Sequence, residues 1–194
     1  MKRCFDLTGA YLLLFFTAIP MLCIALAIRF STAGPVFFCQ WRKGYRGIPF
    51  RIWKFRTMTI AEQDCSLSDL VRDSQDSRIT TVGRILRRTH LDELPQLWNV
   101  IRGDMSLVGP RPMSLSIADE YLKQFPWSAQ RFLVKPGLTG PVQVSGRRAL
   151  QDDPEYCHRL DKEYAEIESQ WQRLSHDMRI LWNTVFVVLS GQGV

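Results

Sequence analysis

An uncharged apolar run near the N-terminus constrains this chain more than any other stretch. Residues 10–28 read AYLLLFFTAIPMLCIALAI and contain no charged side chain. The run approaches the roughly 20 apolar residues that a helix needs to cross a bilayer. It is longer than the usual apolar core of a secretory signal peptide, about 7–15 residues, and no small-residue cleavage site follows it. We therefore expect a membrane segment rather than a cleaved signal.

Pro20 and the charges on both sides of the run favour a bend over a simple crossing. Pro20 removes one helical hydrogen bond in the middle of the run. Lys2 and Arg3 precede the run and Arg29 follows it, and such residues prefer the cytoplasmic side of a membrane. A re-entrant helix that bends at Pro20 and returns to the same face satisfies both flanks, with Thr17 placed to bond a freed backbone group. A plain transmembrane helix is the alternative.

The segment after the run is basic and aromatic. Residues 7–61 hold no Asp or Glu, and seven basic residues follow the apolar run: Arg29, Arg42, Lys43, Arg46, Arg51, Lys54 and Arg56. Basic and aromatic side chains together suit the anionic headgroup region of a membrane. Nucleic-acid binding would use the same ingredients, but the adjoining apolar run favours the membrane. The net charge of the whole chain, 25 − 19 = +6, agrees with an anionic partner.

The candidate reaction centre is a pair of adjacent carboxylates, Asp92 and Glu93, followed by Pro95. One carboxylate could hold Mg²⁺, which takes oxygen ligands and is commonly shared with substrate phosphates. The other could attack phosphorus, while neighbouring arginines bind phosphate oxygens. The alternative is an ordinary solvated helix start, where acids and prolines are common. The arginines near the pair are Arg84, Arg87, Arg88, Arg102 and Arg111.

The rest of the chain predicts one mainly helical domain. Its 194 residues suffice for a single domain with a sizeable core. Apolar and basic residues alternate in residues 50–56, which predicts a strand with one cationic face. Arg51, Lys54 and Arg56 are expected to lie mostly on or near that face. Five cysteines without a CxxC pair and three histidines without metal-ligand spacing argue against disulfides and zinc. Helical patterns occupy residues 82–88, 94–101, 114–125 and 152–171, and apolar residues 180–189 are either core or interfacial.

Five motifs occur in the order and spacing of a known family. They are KFRTM at 54–58, LDELPQLWNVIRGDMSLVGPRP at 91–112, KPGLTG at 135–140, QVSGR at 143–147 and LDKEY at 160–164. On these motifs the chain resembles, over nearly its whole length, the bacterial sugar transferases. These are the monotopic polyprenyl-phosphate phosphoglycosyl transferases. It is identified as the small type that consists of the catalytic domain only.

The resemblance implies an α+β, mainly helical fold. In such a fold a re-entrant membrane helix packs on a small cytoplasmic catalytic domain with short strands and amphipathic interface helices. The expected division is a membrane anchor at residues 1–33 and a catalytic domain at residues 34–194 with an interfacial C-terminal helix. The expected location is the bacterial inner membrane, with the catalytic domain facing the cytoplasm.

The resemblance also implies an activity. A member of the family moves a sugar 1-phosphate from a UDP-sugar to undecaprenyl phosphate, releases UMP and so initiates polysaccharide or glycoconjugate assembly. The implied mechanism is ping-pong with Mg²⁺. The implied partners are the UDP-sugar, undecaprenyl phosphate and inner-membrane lipid, without nucleic acid, and the apolar C-terminus would suit a homodimer. The alternative function is a catalytically weak membrane scaffold that recruits glycan-assembly enzymes.

Roles for individual residues follow from the same motifs. Asp92 is expected to be the nucleophile that forms a phosphosugar-aspartyl intermediate, and Glu93 is expected to hold Mg²⁺. Six further residues are expected to bind substrate or phosphate: Lys54, Arg56, Arg87, Arg111, Arg147 and Asp161, the last two at the nucleotide end.

The chain departs from the family pattern at two places. Ile19-Pro20 stands where the family commonly has Ser-Pro, which keeps a spanning helix as the alternative anchor. Pro141-Val142 stands before QVSGR in place of a bulky apolar residue and Trp, which leaves the nucleotide end the least determined part of the site. No motif identifies the sugar.

Overall fold

The fold is mainly helical with a few short strands, as the sequence predicts. The computed structural model describes residues 1–59, 76–145 and 153–189. The helices are α1 (Lys2–Ser31), α2 (Thr81–Thr89), α3 (Gln96–Arg102), α4 (Leu115–Gln124), α5 (Pro141–Val144), α6 (Pro154–Ala165) and α7 (Gln170–Leu189). The strands are β1 (Phe37–Lys43), β2 (Pro49–Phe55), β3 (Ser106–Val108), β4 (Met113–Ser114) and β5 (Gly137–Thr139). Short 3₁₀ segments cover Tyr45–Gly47, Leu91–Glu93 and Pro126–Leu133.

Helix α1 is continuous over 30 residues and contains Pro20. A helix of that length is about 45 Å long. Within the described part of the chain it is the one helix whose length and composition would allow it to cross a membrane. Ala10 packs into the main core, and Ile28 packs against Phe55 and Leu86 in a second cluster. The helix therefore contacts the rest of the fold near both of its ends.

Polar side chains tie the first turns of α1 to the domain. The Lys2 ammonium donates to Asp177 in α7 at 2.6 Å. The Asp6 carboxylate, which is buried, accepts from the Ser106 hydroxyl at 2.9 Å and from the Leu107 amide at 3.1 Å. Because these partners lie in elements far along the chain, the N-terminal end of α1 has a fixed place on the domain.

The other end of α1 is held by Arg56. Its guanidinium is buried and donates to the carbonyls of Thr32 and Ala33 at 2.9 and 2.7 Å, and to the Thr32 hydroxyl at 2.6 Å. Arg56 follows β2 directly, so the end of the sheet and the end of α1 are joined.

Thr17 does not act as the sequence predicts. An N–H at position 20 would donate to the Phe16 carbonyl in an α-helix, and Pro20 has none. The Thr17 hydroxyl donates instead to the Leu13 carbonyl, at 2.6 Å. A threonine hydroxyl in a helix reaches the carbonyl one turn before its own residue, which for Thr17 is that of Leu13. The Phe16 carbonyl, three residues further along the chain, therefore receives no bond from Thr17.

Strands β2, β1 and β4 form an antiparallel sheet in that order, and β3 pairs with β5 in parallel. Phe50 and Ile52 of β2 are buried in the core. The predicted single cationic face of β2 is wrong, because Arg51 and Lys54 are three residues apart and strand side chains alternate between faces. Arg51 lies over the Trp41 ring, 5.1 Å from its centroid, on the face opposite Lys54.

The helical predictions hold for α2, α3 and α4, whereas residues 152–171 form the end of one helix and the start of another. Helix α6 ends at Ala165 and α7 begins at Gln170. The Arg173 guanidinium of α7 donates to the carbonyls of Ala165 and Ile167, which closes the C-terminal end of α6. Tyr164 in α6 and Ile180 in α7 both belong to the main core, so both helices pack against it.

Candidate active site

The acid pair lies in a tight turn between two helices. Helix α2 ends at Thr89, and His90 takes a left-handed conformation with φ 58° that reverses the chain. Asp92 and Glu93 then lie in a 3₁₀ turn that leads into α3, and both are almost buried, at 8 % and 7 % exposure. The alternative of a solvated helix start therefore does not describe this pair.

Glu93 lies between two cations. The Lys54 ammonium is 2.7 Å from Glu93 Oε1, and Arg111 reaches both oxygens, with NH2–Oε1 at 2.6 Å and NH1–Oε2 at 3.3 Å. Burial opposes ionisation of Glu93, but the charges and hydrogen bonds of Arg111 and Lys54 outweigh it and hold its pKa well below the usual value. Glu93 is therefore a firmly ionised carboxylate.

Asp92 has different surroundings from its neighbour. Within the described ranges its carboxylate has no hydrogen bond and no ion pair closer than 4 Å. Burial raises the pKa of Asp92 to about 6, because the positive charge of Lys54 offsets only part of the desolvation and the charge of Glu93 adds to it. At neutral pH this side chain is an ionised carboxylate with free oxygens.

Arg87 completes the positive surroundings of Asp92. Its Nε donates to the Thr57 hydroxyl at 2.9 Å, and its charge acts on Asp92. Helix α2 comes this close because Gly83 has no side chain: a Cβ there would lie 2.0 Å from the Thr57 carbonyl oxygen. The close approach of α2 to the end of β2 thus carries Arg87 to the site.

Of the six expected substrate-binding residues, the structure brings three to the acid pair and places two elsewhere. Lys54 and Arg111 contact Glu93, and Arg87 lies near Asp92. Arg56 bonds the end of α1 instead of the acid pair. Asp161 is buried in an ion pair with a residue outside the motifs. Arg147 lies outside the described residues.

That partner of Asp161 is Arg131, which sequence reasoning missed. Arg131 NH2 is 2.9 Å from Asp161 Oδ2 and donates to the Arg111 carbonyl at 2.8 Å, so Asp161 connects to the site through Arg131. Arg131 lies in the 3₁₀ segment after α4, in a stretch without a family motif. Only its isolated charge between aromatic residues distinguishes it in the sequence.

His158 lies beside Arg131 within an aromatic enclosure. Its Nδ1 is 3.5 Å from Arg131 NH1, and the rings of Tyr121, Phe125 and Trp127 lie 4.5, 5.8 and 6.3 Å from its own ring centroid. Burial, with a further contribution from the charge of Arg131, lowers the pKa of His158 to about 4. The imidazole is therefore neutral at physiological pH.

The two carboxylates fit a Mg²⁺ ion that a substrate shares. Mg²⁺ keeps several waters and is usually bound by one or two carboxylates plus substrate phosphates. Glu93 Oε2 accepts only the longer of the Arg111 bonds, and Asp92 is open. Among the described residues no group of three or more His, Cys, Asp or Glu forms a metal cage. The described acids are therefore too few to enclose Mg²⁺ without further oxygen ligands.

The chain matches one family model over almost its full length. The model described as bacterial sugar transferase matches residues 1–191. The acid pair, Lys54 and Arg111 all fall inside the matched region.

Three relatives illustrate the similarity. The UDP-glucose:undecaprenyl-phosphate glucose-1-phosphate transferase of Escherichia coli (strain K12) is 40% identical over 189 residues, which are 96% of this chain and 39% of that protein. The enzyme of the same name from Caulobacter vibrioides is 42% identical over 187 residues, 95% of this chain and 68% of that protein. An uncharacterized sugar transferase of Bacillus subtilis (strain 168) is 41% identical over 194 residues, 100% of this chain and 90% of that protein. This chain thus spans well under half of the Escherichia coli relative.

Proposed function

Because this chain belongs to the bacterial sugar transferase family, we propose that it transfers a sugar 1-phosphate from a UDP-sugar to undecaprenyl phosphate and releases UMP. Two of its relatives carry names that state this type of reaction for UDP-glucose. The observation that carries the proposal is the open, ionised Asp92 carboxylate next to Glu93 and its two cations, Lys54 and Arg111. Such a transfer initiates glycan assembly on a lipid carrier.

In the first half-reaction an Asp92 oxygen attacks the phosphorus that carries the sugar. The new bond joins that oxygen to phosphorus, and the bond from this phosphorus to the bridging oxygen of the diphosphate breaks. The electron pair leaves on the bridging oxygen, so UMP departs and the sugar phosphate stays on Asp92 as an acyl phosphate. A carboxylate is a known nucleophile in this type of step.

In the second half-reaction an oxygen of undecaprenyl phosphate attacks the same phosphorus. The bond between Asp92 and phosphorus breaks, which restores the carboxylate and yields undecaprenyl diphosphate sugar. Positioning and charge neutralisation supply most of the catalysis in phosphoryl transfer. Arg87 and Arg111 are placed to neutralise phosphate oxygens, and Lys54 does so from the end of β2.

Mg²⁺ held by Glu93 would supply positive charge to the diphosphate as it separates. Glu93 can present an oxygen to the metal because its pairs with Lys54 and Arg111 fix the carboxylate without surrounding it. Lys54 and Arg111 also keep Glu93 ionised when no metal is bound, so the carboxylate stays in the form that could bind a metal.

We also propose that α1 enters and leaves the membrane on the cytoplasmic side. Lys2 and Asp6 tie one end of α1 to the domain, and Arg56 ties the other end. Both ends of α1 therefore lie against the same domain. A helix that crossed the bilayer would have its ends on opposite sides of the membrane, so only one end could contact a domain on the cytoplasmic side. The exposed apolar face of α1 between the ties includes Phe15, Phe16, Ile19 and Leu22. The anchor at residues 1–33 and the domain at residues 34–194 then share one membrane face.

Helix α7 is suited to lie in the membrane interface. Its inner side carries Asp177 and Ile180, which are buried, and its outer side exposes Trp171, Met178, Trp182, Val185 and Phe186. An apolar face rich in Trp and Phe is typical of interfacial helices. A homodimer through this C-terminal part stays a prediction.

The decisive experiment measures UMP release by the purified protein from a panel of UDP-sugars with undecaprenyl phosphate and Mg²⁺. One UDP-sugar should support turnover, and omitting undecaprenyl phosphate should limit UMP to at most one equivalent per enzyme. A catalytically weak scaffold would release no UMP with any member of the panel. Turnover without a lipid acceptor would contradict the two-step scheme.

A further inference from the structure

Arg131 and Asp161 lie behind the site and have no place in the half-reactions above. We propose that Arg131, held by Asp161, is a positioning residue that fixes the backbone of Arg111 and so sets the Arg111–Glu93 pair. The effect on turnover rests on the proposed function, whereas the effect on Arg111 itself does not.

Arg131 is enclosed by protein, and its terminal nitrogens are used by other protein groups. Its side chain is 5% exposed. NH2 is used by the Asp161 carboxylate and the Arg111 carbonyl, and NH1 faces Met113 Sδ at 2.9 Å and His158 Nδ1 at 3.5 Å. Both terminal nitrogens are therefore engaged inside the domain, and any influence on a substrate has to pass through a neighbour.

The neighbour is the segment that presents Arg111. Upstream of Arg111, two backbone hydrogen bonds fix the chain to β5. The Gly109 amide donates to the Thr139 carbonyl, and the Gly137 amide donates to the Pro110 carbonyl, both at 2.9 Å. Gly109 also has no room for a side chain, since a Cβ would lie 2.3 Å from the Lys135 carbonyl oxygen. These contacts stop at Pro110.

At Arg111 itself the hydrogen bond to the backbone comes from Arg131. Pro112 follows and has no N–H to donate. The side chain of Arg111 is 46% exposed and has to span from this backbone to Glu93. Fixing the carbonyl fixes the origin of that long side chain, and functional groups need such support to within about 0.5 Å.

The Asp161 carboxylate compensates the charge of the buried Arg131 guanidinium. A buried guanidinium without a carboxylate partner is strongly destabilising, because the charge loses its hydration. Asp161 is 2% exposed, and its Oδ2 bonds Arg131 while its Oδ1 has no hydrogen bond in the described part of the chain. His158, whose pKa is lowered to about 4 by burial and by Arg131, stays neutral and does not compete for Asp161. Removing Asp161 should therefore displace Arg131 from Arg111.

The first test needs no substrate. The rate at which phenylglyoxal modifies Arg111 is followed by mass spectrometry in the wild type and in Asp161→Ala. Arg78 serves as an internal reference, because it too is paired with a carboxylate, at 2.6 Å from Asp76, and its side chain is 39% exposed. We expect Arg111 to react several-fold faster in Asp161→Ala while Arg78 keeps its rate. Equal Arg111 rates would overturn the proposal, as would parallel acceleration of both arginines, which indicates general loosening.

Two further variants separate positioning from loss of structure. Asp161→Asn keeps the shape and one acceptor for Arg131, so its Arg111 rate should return towards that of the wild type. Lys162→Gln, next to it in α6, removes an exposed ion pair with Glu166 and should change nothing. If Asp161→Ala does not fold, Arg131→Lys replaces it: the lysine side chain is shorter and lacks the rigid planar fork of the guanidinium, so it should not hold both Asp161 and the Arg111 carbonyl in the wild-type geometry, and Arg111 should again react faster.

The second test uses turnover in a double-mutant cycle. Asp161→Ala should lower kcat/KM by roughly 10- to 100-fold, the range found for hydrogen-bond partners behind metal ligands. In an Arg111→Gln background the same change should cost less than about twofold, because neighbours that act through one group are not additive. Fully multiplicative losses would refute the coupling. If the wild type turns over no UDP-sugar, the proposed function fails, and the modification rates still decide the positioning role.

Discussion

At the level of single residues, the two adjacent acids differ in what surrounds them. Glu93 has two cations on its oxygens, whereas Asp92 has none within ion-pair distance in the described ranges. A carboxylate already neutralised by Lys54 and Arg111 is a poor nucleophile, since attack would require breaking those pairs. The open acid is the better nucleophile, and the paired acid is the better fixed ligand.

Replacing Asp92 with Asn should abolish turnover. The amide has nearly the same shape but no nucleophilic oxygen, so UMP release should fall by at least about a thousandfold. Incubation with radiolabelled UDP-sugar should give no protein-bound label. Asp119→Asn is the matched control, because it removes an exposed carboxylate paired with Lys43 and should leave both readouts unchanged. Labelled protein in the Asp92→Asn variant would rule out this residue as the nucleophile.

Replacing Glu93 with Gln should weaken the use of Mg²⁺. The variant loses the charge that we propose binds the metal, and it leaves Lys54 and Arg111 without their carboxylate. We expect activity to fall by about a hundredfold or more and the Mg²⁺ concentration for half-maximal activity to rise. The measurement is an activity titration with Mg²⁺ after treatment with EDTA. A wild-type titration curve for the variant would remove Glu93 from the metal site.

His158 should make the fold sensitive to acid. In the unfolded chain this histidine protonates near its ordinary pKa, about 6.5, whereas in the folded protein its pKa is lowered to about 4. The unfolded state therefore binds more protons between these values, and stability falls as the pH drops from 6.5 towards 4. In His158→Gln, Tm should fall less over this interval than in the wild type. Equal slopes would show that His158 is as accessible to protons in the folded state as in the unfolded chain.

The sequence predicts which residues lie around the acid pair better than it predicts what supports them. Asp92, Glu93, Lys54 and Arg111 could be predicted because they lie within motifs and meet in the structure. Arg131 could not, because its role depends on a long-range contact that no local pattern encodes. Asp161 lies in a motif, yet burial and its pair with Arg131 give it a place behind the site that the motif does not reveal.

At the level of elements, the approach of α2 to β2 depends on Gly83. A methyl group there meets the backbone carbonyl of Thr57, which cannot rotate away as a side chain could. Gly83→Ala should therefore lower the free energy of unfolding by about 1–3 kcal/mol, the usual cost of overpacking. Because Arg87 moves with α2, UMP release should fall as well.

The control for this prediction is Ile85→Ala on the exposed side of α2. An exposed substitution of this kind usually changes stability by less than about 0.5 kcal/mol. Chemical denaturation in detergent measures both variants. If Gly83→Ala is as stable and active as the control, α2 can shift without cost and does not set the position of Arg87.

Helices were easier to predict than the faces of strands. The helices predicted at 82–88 and 114–125 are confirmed as α2 and α4, whose N-cap side chains, Thr80 and Ser114, accept from the amides of Gly83 and Ile117. The predicted single cationic face of β2 fails because alternation separates Arg51 from Lys54. The break between α6 and α7 was missed because its closure by Arg173 is a contact between helices and leaves no local signal.

At the level of the whole molecule, the attachments of α1 predict its topology. If both ends lie on the cytoplasmic side, a cysteine near the N-terminus is inaccessible from outside the cell. A variant that keeps only Cys4, which is exposed, should react with a membrane-impermeant maleimide in inverted vesicles and not in intact cells.

Glu168→Cys in the same cysteine-depleted background marks the side of the domain, since position 168 is exposed between α6 and α7. The two cysteines should show the same sidedness. Labelling of Cys4 from outside, with Glu168→Cys labelled only in inverted vesicles, would establish a helix that crosses the bilayer.

The ties at Asp6 and at Thr32 have a consequence for exchanging the anchor. Each residue inserted or deleted between them would turn the downstream helix by about 100°. Ile28 would then leave the cluster of Phe55 and Leu86 even if the new anchor were equally apolar. A chimaera made with a foreign anchor would have to match its residue count and angular phase, so anchor and enzyme are best transplanted as one piece.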